Sequence, residues 1–380
     1  MRWLCDPVSA DVLSGTLDNV EPRTLSAEDF WNRLHPQLAS FGISRIADIT
    51  GLDRIGFPVV QAVRPLASSN AVTQGKALTL EGAAVGAVLE CLEMAAGEHL
   101  GRFETTTKGD PAIWSQLAPG LPKGTTWPDA QTEFIACWDQ TRDTAATLPR
   151  DLISTDFARD ATATQAPILR HSIGLGAGTS LGAAMMHGLL ECIEADARLR
   201  DEAKGGSRRL ALSDTDAVYA PVLAAIKAAG LRVAVYDLPC KGGVIAVKAS
   251  IMELPGPSAL ALPATGFAAR LNESAAIAAA LAEAAQARLA VISGAREDIT
   301  QRFYVHGVTQ EDLEAEWGRH GPAAGLMRET PSLSTTLREV VEKVGPVFAV
   351  PLHWDSELPL AITRVVAPDL ISDPFRLRPS

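Results

Sequence analysis

This chain has little basic charge, few cysteines and no long uncharged apolar run. Lys and Arg number 34 against 45 Asp and Glu, and the net charge of −11 argues against nucleic acid as the main ligand. An anionic ligand such as a nucleotide would therefore have to be held by local basic residues or by a metal ion. The cysteines show no CxxC spacing, and Cys91 and Cys192 lie in apolar helical runs, where reduced, buried thiols are expected.

No uncharged apolar stretch reaches the roughly 18 residues that a membrane helix needs. The Ala-rich stretch at 275–294 is interrupted by Glu283 and Arg288, and residues 1–7 lack the apolar core of a signal peptide. A hydrophobic content of 47% with 21% charged residues is ordinary for a globular core and does not indicate disorder. We therefore expect a cytoplasmic protein without a membrane partner.

Three helical runs rich in Ala, Gly and Leu each lead into two polar side chains that lie three positions apart. The pairs are Glu90 and Glu93, Glu191 and Glu194, and Glu283 and Gln286. Residues i and i+3 lie on the same face of a helix, about 5–6 Å apart at Cβ. A buried carboxylate without a partner is very costly, and divalent cations with oxygen ligands neutralise paired carboxylates. Each pair could instead face solvent, but three copies in the same apolar context favour a metal site.

Hydrophobic periodicity and capping residues predict alternating helices and strands. Helices are predicted at 26–40, 80–99, 213–229, 273–292, 310–319 and 333–344, and a further acidic helix includes 182–194. Strands are predicted at 43–49, 57–64, 133–138, 166–172, 231–238, 243–252, 347–352 and 361–366. The alternation predicts one α/β unit with internal pseudo-symmetric repeats, in which Ala-rich acidic helices pack on mixed β-sheets.

A glycine cluster, Gly174, Gly176 and Gly178, lies between the strand predicted at 166–172 and the second acidic helix. Its GxGxG spacing matches neither a P-loop nor a GxGxxG fingerprint. A tight turn is the favoured interpretation. In the alternative, the glycines let backbone N–H groups approach a phosphate at the start of the helix.

Several side chains allow other chemistries. Ser180 lies in a GxSxG pentapeptide, the motif of serine hydrolases, although a hydroxyl at the start of the following helix is the favoured interpretation. Cys91 or Cys192 would need a histidine base to act as a nucleophile. His187 lies four residues before Glu191 on the same helix face, where a packing role is favoured over a ligand role.

Three segments carry a resemblance to a known family. They are GISRIADITGLDRIGFPVV at 42–60, AVRP at 62–65 and QGK at 74–76. Together they resemble the entry segment of YcaO-domain proteins, and the three acidic helices resemble that family's nucleotide and metal motifs. Residues 359–370 are similar to its closing strand, so that the resemblance spans roughly residues 40–370.

The resemblance implies that ATP and magnesium ions bind in a cleft lined by glutamates. Glu90, Glu93, Glu191 and Glu194 would hold Mg2+, and Thr179, at a position where the family has Asn, would help to bind the nucleotide. Glu283, Gln286 and Arg288 would line the nucleotide site, where Lys76 and Arg288 are the candidates for direct phosphate contact. Many YcaO proteins phosphorylate the oxygen of a peptide backbone amide. A thiol, a hydroxyl or an external sulfide then attacks and gives an azoline or a thioamide. Carboxylates bridged by metal ions suit phosphoryl transfer, which asks a protein mainly to position and neutralise charge.

Five positions depart from the family pattern: Gly86, Met94, Thr179, Ala183 and Ala195. If ATP still binds, other arginines such as Arg198, Arg200 or Arg364 must supply the missing positive charge. The alternative function is a degenerate, non-catalytic YcaO scaffold that binds a peptide or a partner protein. A third interpretation is an unrelated α/β protein with Ala-rich acidic helices.

The chain end lacks the repeated Pro-x-Pro of azoline-forming members. The segment HGLLE at 187–191 is similar to the corresponding segment of YcaO proteins that work with a TfuA partner. Thioamide formation is therefore favoured. We expect a precursor peptide as substrate, a TfuA-like or ubiquitin-activating-enzyme-like partner, and a homodimer. The predicted organisation is an N-terminal extension at 1–40, a single YcaO-like domain at 41–372 and a C-terminal tail at 373–380.

Overall fold

The computed structural model describes residues 7–18, 25–110, 113, 115, 132–158, 170–253, 264–296, 299, 309–318, 323–325, 335–355 and 357–370. Within this part of the chain the helices are α1 (Ala27–Leu34), α2 (Leu80–Glu98), α3 (Leu181–Lys204), α4 (Ala220–Ala228), α5 (Glu273–Ser293), α6 (Gln310–Gly318) and α7 (Leu337–Val344). The strands are β1 (Arg45–Asp48), β2 (Val59–Val63), β3 (Val72–Lys76), β4 (Thr105–Thr106), β5 (Phe134–Asp139), β6 (Thr144–Pro149), β7 (Leu175–Gly178), β8 (Arg208–Arg209), β9 (Arg232–Leu238), β10 (Ile245–Met252), β11 (Ala264–Arg270), β12 (Phe348–Asp355) and β13 (Leu360–Val366).

These strands form three sheets. Their orders are β1-β2-β3, β11-β10-β9-β8 and β4-β5-β12-β13-β7, and β6 pairs with β5 in the last sheet. We expected mixed sheets. Every pairing between these strands is antiparallel, and the parallel pairing in the described residues is an isolated bridge between Leu210 and Ala324. The strands β3, β7 and β11 each lie at the edge of their sheet and each precede one of the three acidic helices.

Side-chain caps start all three acidic helices. The side-chain oxygens of Thr79, Ser180 and Asn272 accept hydrogen bonds from the backbone N–H three residues later, which satisfies one of the free donors at each helix start. Gly294, in the left-handed conformation with φ 59°, ends α5. The capping box at Thr336 and Glu339 likewise starts α7. Local sequence therefore determines where these helices begin.

Glycines let the acidic helices pack directly on their strands. A Cβ on Gly75 of β3 would lie 2.0 Å from the carbonyl oxygen of Ala83, and one on Gly176 of β7 would lie 2.2 Å from that of Ala184. Both contacts involve the second turn of the helix. Gly266 of β11 makes the same kind of contact with Ala280, one turn further along α5. The three strand–helix units thus share a packing mode with a shifted register, and internal pseudo-symmetry stays a prediction.

The core has three main apolar clusters, each built around one acidic helix. Phe30 and Leu34 of α1 belong to the cluster around α2, so part of the predicted extension at 1–40 packs on the rest of the chain. The predicted tail at 373–380 lies outside the described residues. The domain division proposed from the sequence stays a prediction.

Most predicted elements are present, with three corrections. The strand predicted at 166–172 is wrong at 170–172, where there is no strand, and 166–169 lie outside the described residues. The glycine cluster itself forms the strand β7, because close contact with α3 requires small residues there. The helix predicted at 213–229 begins only at Ala220, since residues 213–216 form a turn. The strands β3, β4, β6, β8 and β11 were not predicted.

The helix α5 is long and apolar enough to cross a membrane by length and composition alone. In this fold 61% of its most apolar 18-residue stretch is buried, and the helix packs on β10 and β11. Its apolar character is accounted for by the core around it.

Candidate functional site

The edges of the three sheets each hold one glutamate of an acidic helix. The backbone N–H of Gln74 on β3 donates to Glu90 at 3.1 Å. The N–H of Gly174, next to β7, donates to Glu191 at 2.9 Å, and the N–H of Phe267 on β11 donates to Glu283 at 3.3 Å. An edge strand has N–H groups that no neighbouring strand uses, and here one such group from each sheet orients a carboxylate.

These carboxylates face one another across a common cleft. Glu90 interacts electrostatically with Glu283, Glu93 with Glu191 and Glu90, and Glu194 with Glu283. The structure thus brings together all four predicted metal ligands and one predicted nucleotide residue. All three acidic helices therefore contribute to a single acidic site.

The pKa values of the carboxyl groups are raised throughout this cleft. Burial, followed by repulsion from Glu194, raises the pKa of Glu191 to about 8. Burial, followed by repulsion from Glu283, raises the pKa of Glu194 to about 7. Burial raises the pKa of Glu93 well above its ordinary value, with Glu191 and Glu90 adding to the effect, and burial also raises the pKa of Glu90. At neutral pH the cluster therefore needs either protons or cations.

The cleft is open to solvent although protein surrounds the carboxylates. The side chain of Glu93 is 12% exposed, that of Glu283 is 35% exposed and that of His187 is 51% exposed. A ligand can therefore reach the carboxylates from outside.

No three His, Cys, Asp or Glu side chains in the described residues converge closely enough to enclose a metal ion by themselves. Mg2+ commonly takes one or two protein carboxylates, with water and phosphate oxygens as its other ligands. The arrangement of facing carboxylates on separate helices fits ions that are shared with a phosphate-bearing ligand better than a closed structural metal site.

Lys76, at the end of β3, lies beside the acidic cluster. Its ammonium group is 3.5 Å from a carboxylate oxygen of Glu283, and its side chain is 26% exposed. Thr179 lies in the bend between β7 and α3, directly before the capping residue Ser180. Both residues thus lie at junctions between an edge strand and an acidic helix, and their contact with a nucleotide stays a prediction.

Gln286 and Arg288, two positions apart on α5, have different surroundings. The side-chain N–H of Gln286 donates to the carbonyl oxygen of Gln74 at 2.9 Å. The guanidinium of Arg288 is bound by Asp53, at 2.9 Å from Nε, and by Glu253, at 2.7 Å from an Nη atom. Arg288, predicted to contact phosphate, therefore has its charge compensated by two buried carboxylates outside the acidic cluster.

Other arginines act on the cluster. Arg296 lowers the pKa of Glu90, and Arg270 and Arg198 lower that of Glu194. Arg198 and Arg364 were both named from the sequence as alternative sources of positive charge, and Arg364 lowers the pKa of Glu191. Arg200, named with them, is bound instead by Asp196 at 2.8 Å. Sequence reasoning missed Arg270 and Arg296; the position of Arg270 at the end of β11, directly before the third acidic helix, was an available signal.

His187 does not have the packing role favoured by the sequence. Its side chain is exposed, and its Nδ1 lies 3.9 Å from a carboxylate oxygen of Glu93. Although about half of the side chain is exposed, the surrounding protein partly desolvates the ring, and with the positive charge of Arg270 this lowers the pKa of His187 to about 4. It is therefore a neutral group in the cleft at physiological pH.

The hydrolase and thiol chemistries considered above are not supported. The Ser180 hydroxyl accepts a hydrogen bond from the N–H of Ala183 and caps α3. Burial raises the pKa of the Cys91 thiol to about 11 and that of Cys192 to about 12, which keeps both thiols protonated. Both cysteines are free and buried, as predicted.

The fold and the cleft define an α/β protein of the class that uses clustered carboxylates on helices to bind cations together with an anionic ligand. A sequence profile of the YcaO cyclodehydratase family, described as ATP- and Mg2+-binding, matches residues 74–371. The chain therefore belongs to the YcaO family, as the resemblance implied, and the interpretation as an unrelated α/β protein is wrong.

Relatives match over nearly the whole chain. An uncharacterized protein of Methanothermobacter thermautotrophicus is 30% identical over 373 residues, which cover 92% of this chain and 95% of the relative. An uncharacterized protein encoded in the tfuA 3′ region of Rhizobium leguminosarum bv. trifolii is 25% identical over 390 residues, which cover 95% of this chain and 91% of the relative. The structure of YcaO from Methanopyrus kandleri bound with AMPPCP and Mg2+ matches with a TM-score of 0.72 at 21% identity, covering 92% of each chain.

Proposed function

We propose that this protein binds ATP with Mg2+ in the acidic cleft and uses it to activate a backbone amide of a peptide. The observation that carries the proposal is the convergence of Glu90, Glu93, Glu191, Glu194 and Glu283 in one solvent-open cleft, with pKa values raised for the first four. Membership of a cyclodehydratase family that is described as ATP- and Mg2+-binding supports it.

The described residues fit such a ligand. Both side-chain polar atoms of Gln74 and the side-chain oxygen of Gln286 are buried without hydrogen-bond partners, close to Glu90. A buried polar group without a partner is costly, and a polar ligand next to it relieves that cost. The cluster of carboxylates likewise requires cations when it is ionised.

Each residue has a proposed role in binding. Glu90, Glu93, Glu191 and Glu194 would hold the Mg2+ ions, and the backbone N–H groups of Gln74 and Gly174 keep two of these carboxylates in place. Lys76 would contact a phosphate, for which it would exchange its 3.5 Å contact with Glu283. Thr179 lies at the start of α3, where a hydroxyl can donate to a phosphate oxygen. ATP with Mg2+ supplies the phosphoryl group that makes the amide carbon electrophilic.

We propose a thioamide as the product. A small sulfur nucleophile at the oxidation level of sulfide would attack the activated amide carbon, and phosphate would leave with the former amide oxygen. The similarity to a protein from a tfuA region supports a TfuA-like partner. Azoline formation by a side-chain thiol or hydroxyl of the peptide is the alternative product, and a ubiquitin-activating-enzyme-like protein the alternative partner. We also propose that the protein forms a homodimer.

The test measures ATP binding by calorimetry and, separately, the release of phosphate. Both are measured with and without Mg2+, for the wild type and for Glu191→Gln. We expect Mg2+-dependent ATP binding in the wild type that is weakened at least tenfold in the variant, and phosphate release that requires the precursor peptide. The matched control is Glu81→Gln, which changes an exposed glutamate in the first turn of α2 and should leave binding unchanged. Unchanged binding and turnover in Glu191→Gln would refute the proposed site.

A non-catalytic scaffold is the second candidate. The pairing of Arg288 with Asp53 and Glu253 favours it, because this pairing removes a predicted contact to phosphate. Met94 and Ala195, which depart from the family pattern, also favour it. It predicts binding of the precursor peptide with no phosphate release under any condition. Mg2+-dependent phosphate release that is lost in Glu191→Gln would rule it out.

A further inference from the structure

A small cavity of about 40 Å³ lies on the side of α3 that carries Cys192, next to the last strand, β13. Its walls are largely aliphatic, among them Leu152, Ile173 and Val365. The polar side chains on its lining are those of Arg364, His171 and Cys192. The Cys192 thiol is directed to the carbonyl oxygen of Val365 at 3.8 Å, and it is protonated because burial raises its pKa.

Arg364 is buried without a carboxylate in ion-pair contact, and the anionic group that acts on it electrostatically is the more distant Glu191. The structure buries three arginines in its described part, Arg64, Arg288 and Arg364, and the exposed fraction of Arg364 is 1%. Arg64 is paired with Glu98, and Arg288 with Asp53 and Glu253. No carboxylate of the described residues lies within 4 Å of Arg364. Its charge is therefore the exception among the buried guanidinium groups.

The hydrogen bonds of Arg364 go to a backbone carbonyl oxygen and to an imidazole nitrogen. Its Nε donates to the carbonyl oxygen of Leu152 at 3.2 Å, and one Nη donates to Nδ1 of His171 at 3.3 Å. The other nitrogen, Nη1, is buried and has no hydrogen-bond partner. A guanidinium can only donate, so His171 is the acceptor in this contact. A buried cation with an unused donor is costly unless an anion accompanies it.

We propose that this cavity binds a small monovalent anion, with Arg364 as the cation that holds it. A cavity of about 40 Å³ has room for roughly three water molecules, since each needs about 10–15 Å³. That space suits an ion between chloride and formate in size. One guanidinium compensates a single negative charge, and aliphatic walls disfavour the strongly hydrated sulfate and phosphate dianions.

The proposed anion site is linked to the acidic cleft through the backbone. The N–H of Val365, next to Arg364, donates to the carbonyl oxygen of Gly174 at 2.7 Å. The N–H of the same glycine holds Glu191. The segment beside the cavity thus also positions Glu191, and the charge of Arg364 lowers the pKa of that glutamate. The anion site itself does not depend on the proposed function.

The experiment is thermal unfolding of the full chain in EDTA, without nucleotide, while sodium gluconate is replaced by sodium bromide at constant ionic strength. We expect a saturable rise in the unfolding temperature. In Arg364→Met the bromide concentration for half the effect should increase at least tenfold. In Ala367→Leu, which fills the cavity and keeps Arg364, the response should be lost. Arg142→Met, which removes an arginine that is paired with Asp139 at the surface, should respond as the wild type does.

A second measurement keeps the proposal testable if Arg364→Met does not fold. Anomalous diffraction from bromide-soaked crystals of the wild type should show a peak within hydrogen-bonding distance of the Arg364 guanidinium. The proposal is overturned if the wild type shows no saturable response, if Ala367→Leu responds as strongly as the wild type, or if no bromide lies at Arg364. None of these readouts uses ATP or Mg2+, so that failure of the nucleotide proposal would leave the result intact.

Discussion

Gln286 donates a hydrogen bond from its side chain to the main-chain carbonyl oxygen of Gln74 at 2.9 Å. The N–H of the same Gln74 holds Glu90, so one residue of β3 connects a carboxylate of α2 with a carboxamide of α5. Lys76 and Glu283 make a second contact between these two elements. The first sheet and α5 therefore meet through polar side chains at the cleft, while Val59 of β2 belongs to the apolar cluster around α5.

We expect Gln286→Met to lower the free energy of unfolding by about 1–3 kcal/mol, because the buried carbonyl oxygen of Gln74 loses its partner. Mg2+-dependent ATP binding should weaken too, since Glu90 is held by the same residue. Urea unfolding and calorimetry measure both effects. The control, Gln37→Met, removes a donor to a backbone carbonyl at the surface and should change neither. A fully stable variant with normal ATP binding would contradict this account.

Stability without metal should fall as the pH rises from about 4.5 to about 8. Burial and repulsion raise the pKa of Glu191 to about 8 and that of Glu194 to about 7 in the folded state, so the folded state binds more protons than the unfolded one in this range. Their ionisation therefore destabilises the fold, and Mg2+ should offset the loss. Unfolding temperatures with EDTA and with Mg2+ should differ more at pH 8 than at pH 6. Glu191→Gln should reduce that difference, and an equal Mg2+ effect at both pH values would contradict the prediction.

Arg288→Met should destabilise the fold strongly, by about 3–5 kcal/mol, because Asp53 and Glu253 would remain buried without their shared cation. Arg54→Met provides the matched control. That side chain is 51% exposed, and it also contacts Glu253, so its loss should cost about 0–1 kcal/mol. Chemical unfolding distinguishes the two. If Arg288→Met instead keeps its stability and loses ATP binding, the arginine serves the ligand rather than the fold.

Gly176→Ala should lower the free energy of unfolding by at least about 1–3 kcal/mol, since its Cβ would lie 2.2 Å from the carbonyl oxygen of Ala184 and 2.6 Å from the N–H nitrogen of Gly188. Separation of β7 from α3 should also disturb the hold of Gly174 on Glu191. Gly51→Ala is the control, because a Cβ there meets nothing within 4 Å. Equal stabilities of the two variants, measured in urea, would show that the contact between β7 and α3 is not tight.

Local interactions explain what could be predicted from the sequence. The start of the helix at Leu80, the end of α5 at Gly294 and the hairpin of β9 and β10 follow from capping residues and alternation within a few positions of the chain. The i and i+3 spacing of the glutamate pairs is likewise a local property, so the four carboxylates of the cleft could be named in advance. The sequence motifs around these glutamates resemble those of the family, and this resemblance also allowed the fold class to be recognised.

Tertiary structure decided what depends on distant segments. The glycine cluster became a strand because β13 offers hydrogen bonds to it and α3 lies too close for any larger residue. Arg288 pairs with Asp53 and Glu253 outside the cleft. Arg364 is buried without a carboxylate in ion-pair contact, although nothing in the neighbouring sequence distinguishes the two arginines. The sequence by itself determined the helices and their paired carboxylates, because caps and helical periodicity act over a few residues. Only the packing of three sheets brought the pairs to one cleft, because the energies of burial and of charge pairing depend on which distant groups meet.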